Sequence, residues 1–185
     1  MNHADHVALI RGGVESGSVE TREPSATPQV WADLGSGGGA FTLALADLLA
    51  PSDSIHSIDR DHGALRSQER AMAQQFPAIT LETHRADFTK RLALPPLDGI
   101  VMANSLHFVK EKRATLTLVR SYLRPGGRFV LVEYNVDRGN HWVPHPLTFD
   151  AWPSLARECG FIDTRPLATV PSRFLGEIFA ALSIT

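Results

Sequence analysis

Between Val30 and Phe41 the chain reads Val-Trp-Ala-Asp-Leu-Gly-Ser-Gly-Gly-Gly-Ala-Phe. No other stretch restricts the fold as much. Val30–Leu34 is a short apolar run of strand length, and Ala40–Ala50 is apolar on most faces and stops at Pro51. A buried strand therefore passes through glycines straight into a buried helix. Glycine reaches the positive φ angles of a tight turn and lets a ligand lie against bare backbone. The first turn of the helix adds unpaired N–H groups beside it. Strand, glycine turn and helix together point to a layered α/β domain that binds its ligand at the end of the first strand. A purely structural turn remains the plainer alternative.

The chain continues to alternate. Ser54–Asp59 reads as a strand, and Asp61 caps a helix running to about Phe76, where Pro77 stops it. Ile79–His84 and Asp98–Met102 read as strands, Glu111–Leu123 as a helix ended by Pro125-Gly126-Gly127, and Arg128–Tyr134 as a β-branched and aromatic strand. Phe149–Cys159 reads as a helix with Gly160 at its C-terminal end, followed by strands over Phe161–Ala168 and Phe174–Ser183. Short connections between alternating elements predict a mostly parallel sheet with helices on both faces. Residues 1–28 are expected to form a short N-terminal helix and a loop over 12–28, with Met1–Ile10 as a possible lid. Residues 29–185 form the main domain.

Composition narrows the partners. The net charge of −2 gives no electrostatic reason to bind nucleic acid or an anionic membrane. No apolar run is long enough to span a bilayer, and Met1–Ile10 does not read as a signal peptide. Cys159 is the one cysteine, so neither an intramolecular disulfide nor a cysteine metal cluster is available. A cytoplasmic location is the expectation.

Asp33 lies two residues before the first glycine. A carboxylate there suits a ligand bearing an ammonium group and would repel a pyrophosphate. Asp59 ends the second strand, where an acid can accept hydrogen bonds from ribose hydroxyls. Asp87-Phe88 follows the third strand, and Asn104-Ser105 the fourth.

With these features in order, residues 28 to 135 resemble the class I S-adenosylmethionine (SAM)-dependent methyltransferases. Asp33-Leu-Gly-Ser-Gly-Gly-Gly resembles the family's first motif, Arg85-Ala86-Asp87-Phe88 its adenine motif, and Leu97–Phe108 its fourth motif. Leu123–Arg128 resembles the turn before its fifth strand. The resemblance implies a single Rossmann-like domain with a seven-stranded sheet and an antiparallel last strand. SAM is the implied cofactor. Asp33, Gly35, Ser36 and Gly37 would lie at the methionine end, with loop N–H groups on its carboxylate. Asp59 would take the ribose, with Arg60 counted beside it although it reads as a surface residue. Asp87 would bind the adenine amino group, Phe88 would pack on the ring, and Asn104 and Ser105 would complete the site. The third consecutive glycine exceeds the motif and suggests a more mobile loop.

Methyl transfer from a sulfonium needs alignment above all, and a base only where the acceptor must lose a proton. Candidate catalytic groups are His107 and Tyr134 at the strand ends, and His141 and His145 in a loop that also carries Trp142 and two prolines. A solvated or structural role is the plainer reading of each. The histidine spacing matches no compact metal motif, so no metal is expected. The acceptor is expected to be a small molecule, with its identity open at oxygen, nitrogen or carbon. Two rivals stand beside this reading. One is an NAD(P)-dependent oxidoreductase, which Gly35-x-Gly37-x-x-Ala40 and Asp59 also satisfy. The other is a noncatalytic module that binds a protein partner.

Overall fold

The computed structural model describes residues 1–15 and 27–185. Seven strands form one sheet: β1 (Val30–Leu34), β2 (Ser54–Asp59), β3 (Thr80–Arg85), β4 (Leu97–Ala103), β5 (Leu123–Tyr134), β6 (Asp163–Ser172) and β7 (Gly176–Ile184). Their spatial order is β3-β2-β1-β4-β5-β7-β6. The pairs from β3 through β5 are parallel, and β7 runs antiparallel to both of its neighbours. This is the mostly parallel sheet with an antiparallel last strand that the sequence predicts.

Among the described residues, five α-helices cover it: α1 (His3–Val14), α2 (Ala40–Leu48), α3 (His62–Gln75), α4 (Lys112–Arg120) and α5 (Trp152–Glu158). One core holds Trp31, Ile55, Val130 and Val132 of the sheet with Leu9, Ile10, Leu45 and Met72 from α1, α2 and α3. The other, across the sheet, holds Ile58, Ile100, Phe129 and Phe179 with Leu116, Val119 and Trp152 from α4 and α5. Alternate residues of each strand feed opposite cores, as strand geometry requires.

Several boundaries differ from expectation, two of them for clear physical reasons. The loop over 12–28 begins too early: Gly12–Val14 continue α1, because an Asn2–Asp5 capping box starts that helix and Val14 is buried. Residues 16–26 of that loop lie outside the described residues. Met1–Ile10, the segment considered as a lid, supplies most of α1, and Leu9 and Ile10 are fully buried. At Gly13 a Cβ would come within 2.5 Å of Val130 Cγ2, so the helix rests directly on β5. Finally, Pro125-Gly126-Gly127 does not end the α4 helix, which stops at Arg120. It lies inside β5, at the register shift between Leu97↔Leu123 and Gly99↔Arg128.

Asp98, the second residue of β4, ties the strand at the end away from the site. It accepts from Val30 N at 2.8 Å and from Arg124 Nη1 at 2.6 Å.

The third glycine of the loop has its own steric reason. Gly39 is the N-cap of α2 at φ 86°, and a Cβ there would lie 2.4 Å from Gln68 Cγ. Gln68 cannot yield cheaply, since it is fully buried and bonded at both ends of its amide. Gly39→Ala is therefore expected to lower unfolding stability by about 2–4 kcal/mol, combining left-handed strain with overpacking. Urea unfolding midpoints measure this; an unchanged midpoint would show that the loop relaxes freely.

Candidate functional site

The carboxyl ends of β1, β2 and β4 open into a cavity of about 700 Å³. Its walls include Gly35, Gly37, Asp59, Arg60, Asp87, Phe88, Asn104 and Ser105. The volume falls within the range of small-molecule sites, at the place where open α/β sheets bind their ligands. Eight of the ten residues expected at the cofactor thus share one wall. Arg60, read as a surface residue, is among them.

The glycine loop is held from below. Gly35 N and Ser36 N both donate to Ile58 O, Gly37 N donates to Asp59 Oδ2 at 2.8 Å, and Gly39 N donates to Ser36 O. These four amides are spent inside the fold. The expectation that the loop's N–H groups would hold a carboxylate is corrected to that extent. Gly35 is needed sterically as well: at φ 79°, a Cβ would lie 2.5 Å from Ser105 Cβ. Around Gly37 and Gly38 nothing lies within 4 Å of a built Cβ, so the rim of the loop faces open space.

Asp33 is not on the wall. Its carboxyl is buried beneath the loop, 2.7 Å from Thr42 Oγ1. Burial pushes its pKa up to about 7, against the lowering effect of the Thr42 bond. The local network agrees. Thr42 has one hydroxyl proton but two acceptors, Asp33 Oδ2 and Gln68 Oε1 at 3.1 Å. With Asp33 protonated, Asp33 donates to Thr42 and Thr42 donates to Gln68, so all three are satisfied.

Gln68 was not anticipated. Its Oε1 accepts from Ser57 Oγ at 2.7 Å, and its Nε2 donates to Ser36 Oγ at 2.9 Å and Gly37 O at 2.6 Å. It pins the loop to α3. The available signal was its position: Leu65, Gln68 and Met72 share the buried face of α3, and the polar member is the anomaly.

Asp59 accepts from Gly37 N and Asp61 N, and each oxygen retains acceptor capacity toward the cavity. Asp87 Oδ1 accepts from Thr89 Oγ1 and Thr89 N. Those bonds, together with the nearby Arg60 charge, lower its pKa and keep it a carboxylate. Asn104 sits at φ 50°, the one non-glycine positive φ among the described residues, and its Oδ1 is buried without a partner there. A strained residue presenting an orphaned acceptor at a cavity wall marks a ligand position. Ser105 Oγ donates to Leu34 O, bracing the ends of β1 and β4 against each other.

The catalytic candidates separate. His107, in a 3₁₀ turn after β4, places Nδ1 2.7 Å from Glu133 Oε2, and its backbone N donates to Glu133 Oε1. Both side chains are almost fully buried, at 3% and 1% exposure. Glu133, near the end of β5, was seen in the sequence only as part of a strand. Phe108, beside His107, lines the cavity and is exposed. The Tyr134 ring lies 6.2 Å from His107 and meets Phe174 edge-on. Burial raises its hydroxyl pKa, and Glu133 adds to the shift. His145 reaches His107 through backbone alone, His145 N donating to His107 O, while Lys112 Nζ holds His145 O. His141 is exposed and packs edge-on against the exposed Trp142. The four are therefore not one constellation: His107 has a buried carboxylate partner in Glu133, and His141 packs on Trp142.

Residues 32–129, more than half of the chain, match the family model described as a methyltransferase domain. The hybrid PKS-NRPS synthetase lepA of Aspergillus flavus is 32% identical over 105 residues, which are 55% of this chain and 3% of that protein. The chain thus spans a small fraction of the length of that relative. Among solved structures, the CurJ carbon methyltransferase aligns with a TM-score of 0.70 at 21% identity, covering 88% of this chain and 50% of that one. CrArsM, an arsenic(III) S-adenosylmethionine methyltransferase from Chlamydomonas reinhardtii, aligns with a TM-score of 0.69 at 17% identity, covering 95% and 72%. These two likenesses speak for the fold. Together with the family match and the site at the strand ends, they establish that the chain belongs to the methyltransferase-domain family, with its class I Rossmann-like fold.

Proposed function

We propose that this chain is a SAM-dependent methyltransferase whose acceptor is a carbon acid, a carbon flanked by carbonyl groups, with His107 as general base. The buried His107–Glu133 pair, whose chain neighbour Phe108 lines the cavity, carries this reading.

The residues present fit SAM. Two carboxylates on the cavity wall, Asp59 and Asp87, would accept from a nucleoside's hydroxyl and amino donors, and the orphaned Asn104 Oδ1 offers a further acceptor. A dinucleotide fits less well. Four amides of the glycine loop are already bonded, so they cannot cradle a pyrophosphate. When bound, SAM supplies a methyl group on a sulfonium, which departs as a neutral thioether.

The chain's own residues supply the proton chemistry. The Glu133 carboxylate accepts from Nδ1–H of His107, which fixes the tautomer and leaves the lone pair on Nε2. Nε2 takes the proton from the acceptor carbon, and the buried carboxylate stabilises the imidazolium so formed. An amine acceptor carries its lone pair already and needs no such base. The carbon methyltransferase activity named for the CurJ structure and the polyketide-type relative support the same acceptor class.

The test has two parts. Calorimetry with SAM, S-adenosylhomocysteine and NADH is expected to show binding of the first two only, weakened about tenfold or more in Asp59→Ala. Incubation with SAM and a β-ketoacyl thioester is then expected to place the methyl on the α-carbon. Binding of NADH alone would overturn the cofactor, and methylation at oxygen would overturn the acceptor class. Failure of every nucleoside ligand to bind would favour a noncatalytic partner-binding module.

A further inference from the structure

We propose that His56, Glu82 and His84 form a divalent transition-metal site of the zinc-binding type, on the sheet face opposite α3.

The strand register brings the three together. β2 and β3 pair in parallel, with His56 opposite Glu82 and Ile58 opposite His84. Glu82 and His84 are two apart on β3, so both side chains leave the same face of the strand, which is also the face that His56 uses on β2. The intervening Thr83 points the other way, where its hydroxyl donates to Glu69 of α3. Three ligand-bearing residues thus meet on a surface that α3 does not cover.

The distances fit a metal. His56 Nδ1 lies 2.9 Å from His84 Nε2 and 3.6 Å from Glu82 Oε2, and all three ligand atoms lie within 4.8 Å of one another. Ligands at zinc bond lengths of about 2.0–2.1 Å in a tetrahedron stand about 3.3 Å apart. The two shortest spacings bracket that value. Small rotamer adjustments of Glu82, whose side chain is 57% exposed, would seat an ion. Two imidazoles and one carboxylate are a donor set that zinc uses, and the open edge of β3 leaves room for a water as fourth ligand.

His56 is prepared for ligation. Its side chain is buried, which holds the ring in place beside His84 and Glu82. A plain hydrogen bond between the two rings is the competing explanation. It accounts for the 2.9 Å contact but gives Glu82 no role. The site is separate from the cofactor cavity, although Asp59, three residues after His56, and Ala86, two after His84, line that cavity. A bound ion would staple the edge strand whose end presents Asp87.

The test titrates chelator-stripped protein with ZnCl₂ by calorimetry and with CoCl₂ by visible absorption. One ion per chain is expected, with the intense d–d bands of tetrahedral Co(II). Zinc should raise the unfolding temperature. His84→Ala and Glu82→Gln are each expected to weaken zinc binding at least about tenfold and to abolish the temperature rise. Both residues are on an edge strand, and Glu82→Gln changes an exposed side chain without altering its size, so it keeps the test valid if His84→Ala unfolds. Equal zinc affinity in the wild type and Glu82→Gln, or a Co(II) spectrum of weak octahedral type, would overturn the proposal.

Discussion

His107→Gln is expected to lower kcat for carbon methylation by about 10²- to 10⁴-fold, the range for loss of a positioned general base. Glutamine is the informative replacement. Its amide N–H can still donate to Glu133, so the buried carboxylate is not stranded, whereas alanine would leave it unpaired at a structural cost. SAM affinity should stay within about twofold, because His107 does not line the cavity. Glu133→Gln should reduce kcat less, since it removes the charge that stabilises the imidazolium but leaves the His107 ring in place. Single-turnover rates with calorimetric SAM affinities separate the two effects. A His107→Gln variant with wild-type kcat would remove His107 from the chemistry and leave Tyr134 as the nearest alternative.

Asp33→Asn is expected to change how stability varies with pH. The native carboxyl titrates near 7 because it is buried, against an ordinary value of 3.8. Below pH 3.8 both folded and unfolded chains carry the proton, and Asp33 contributes no pH dependence. As pH rises toward 7 the unfolded chain releases its proton while the folded chain retains it. The folded state then binds more protons, and stability falls. The loss is complete above the folded pKa and amounts to about 4 kcal/mol, from a shift of about three units. Asparagine cannot ionise, so the variant should lack this slope. Its amide brings two donors into a site built around a carboxyl, at a cost of about 1–3 kcal/mol that is the same at every pH. The comparison therefore rests on the difference in slope. Urea unfolding at pH 4.5 and pH 8 measures it. Parallel profiles for wild type and variant would show that Asp33 is ionised in the folded protein.

The order of strands and helices was legible because each element carries its own signal. β1 and β2 were bounded to the residue, the first as a short apolar run closed by glycine and the second as an alternating segment closed by aspartate. Asp61 was identified as a cap and is one, accepting from Gly63 N and Ala64 N. What stayed hidden depends on register and burial across distance. Gln68 contacts the loop from more than thirty residues away. Glu133 meets His107 only because β4 and β5 end side by side. Asp33 was recognised as important, but its proximity to the ligand in sequence concealed that its carboxyl points into the core. The histidines of the 139–147 loop drew attention because they cluster locally, whereas His56 and His84 meet across a strand pair.

The place of β7 has a consequence during synthesis. β7 follows β6 in the chain yet stands between β5 and β6 in the sheet. When β5 emerges from the ribosome its outer edge has no partner, and that edge belongs to a strand whose Phe129–Val132 are all fully buried in the finished fold. At about 5–20 residues per second, the edge stays bare for roughly 2–8 s until Gly176 and the residues after it arrive. β6 cannot fill the gap early, because its ladder is with β7. Only β7 can close that edge, since it pairs with both β5 and β6. A ribosome paused before Gly176 would hold out an apolar sheet edge of the kind that recruits chaperones or aggregates.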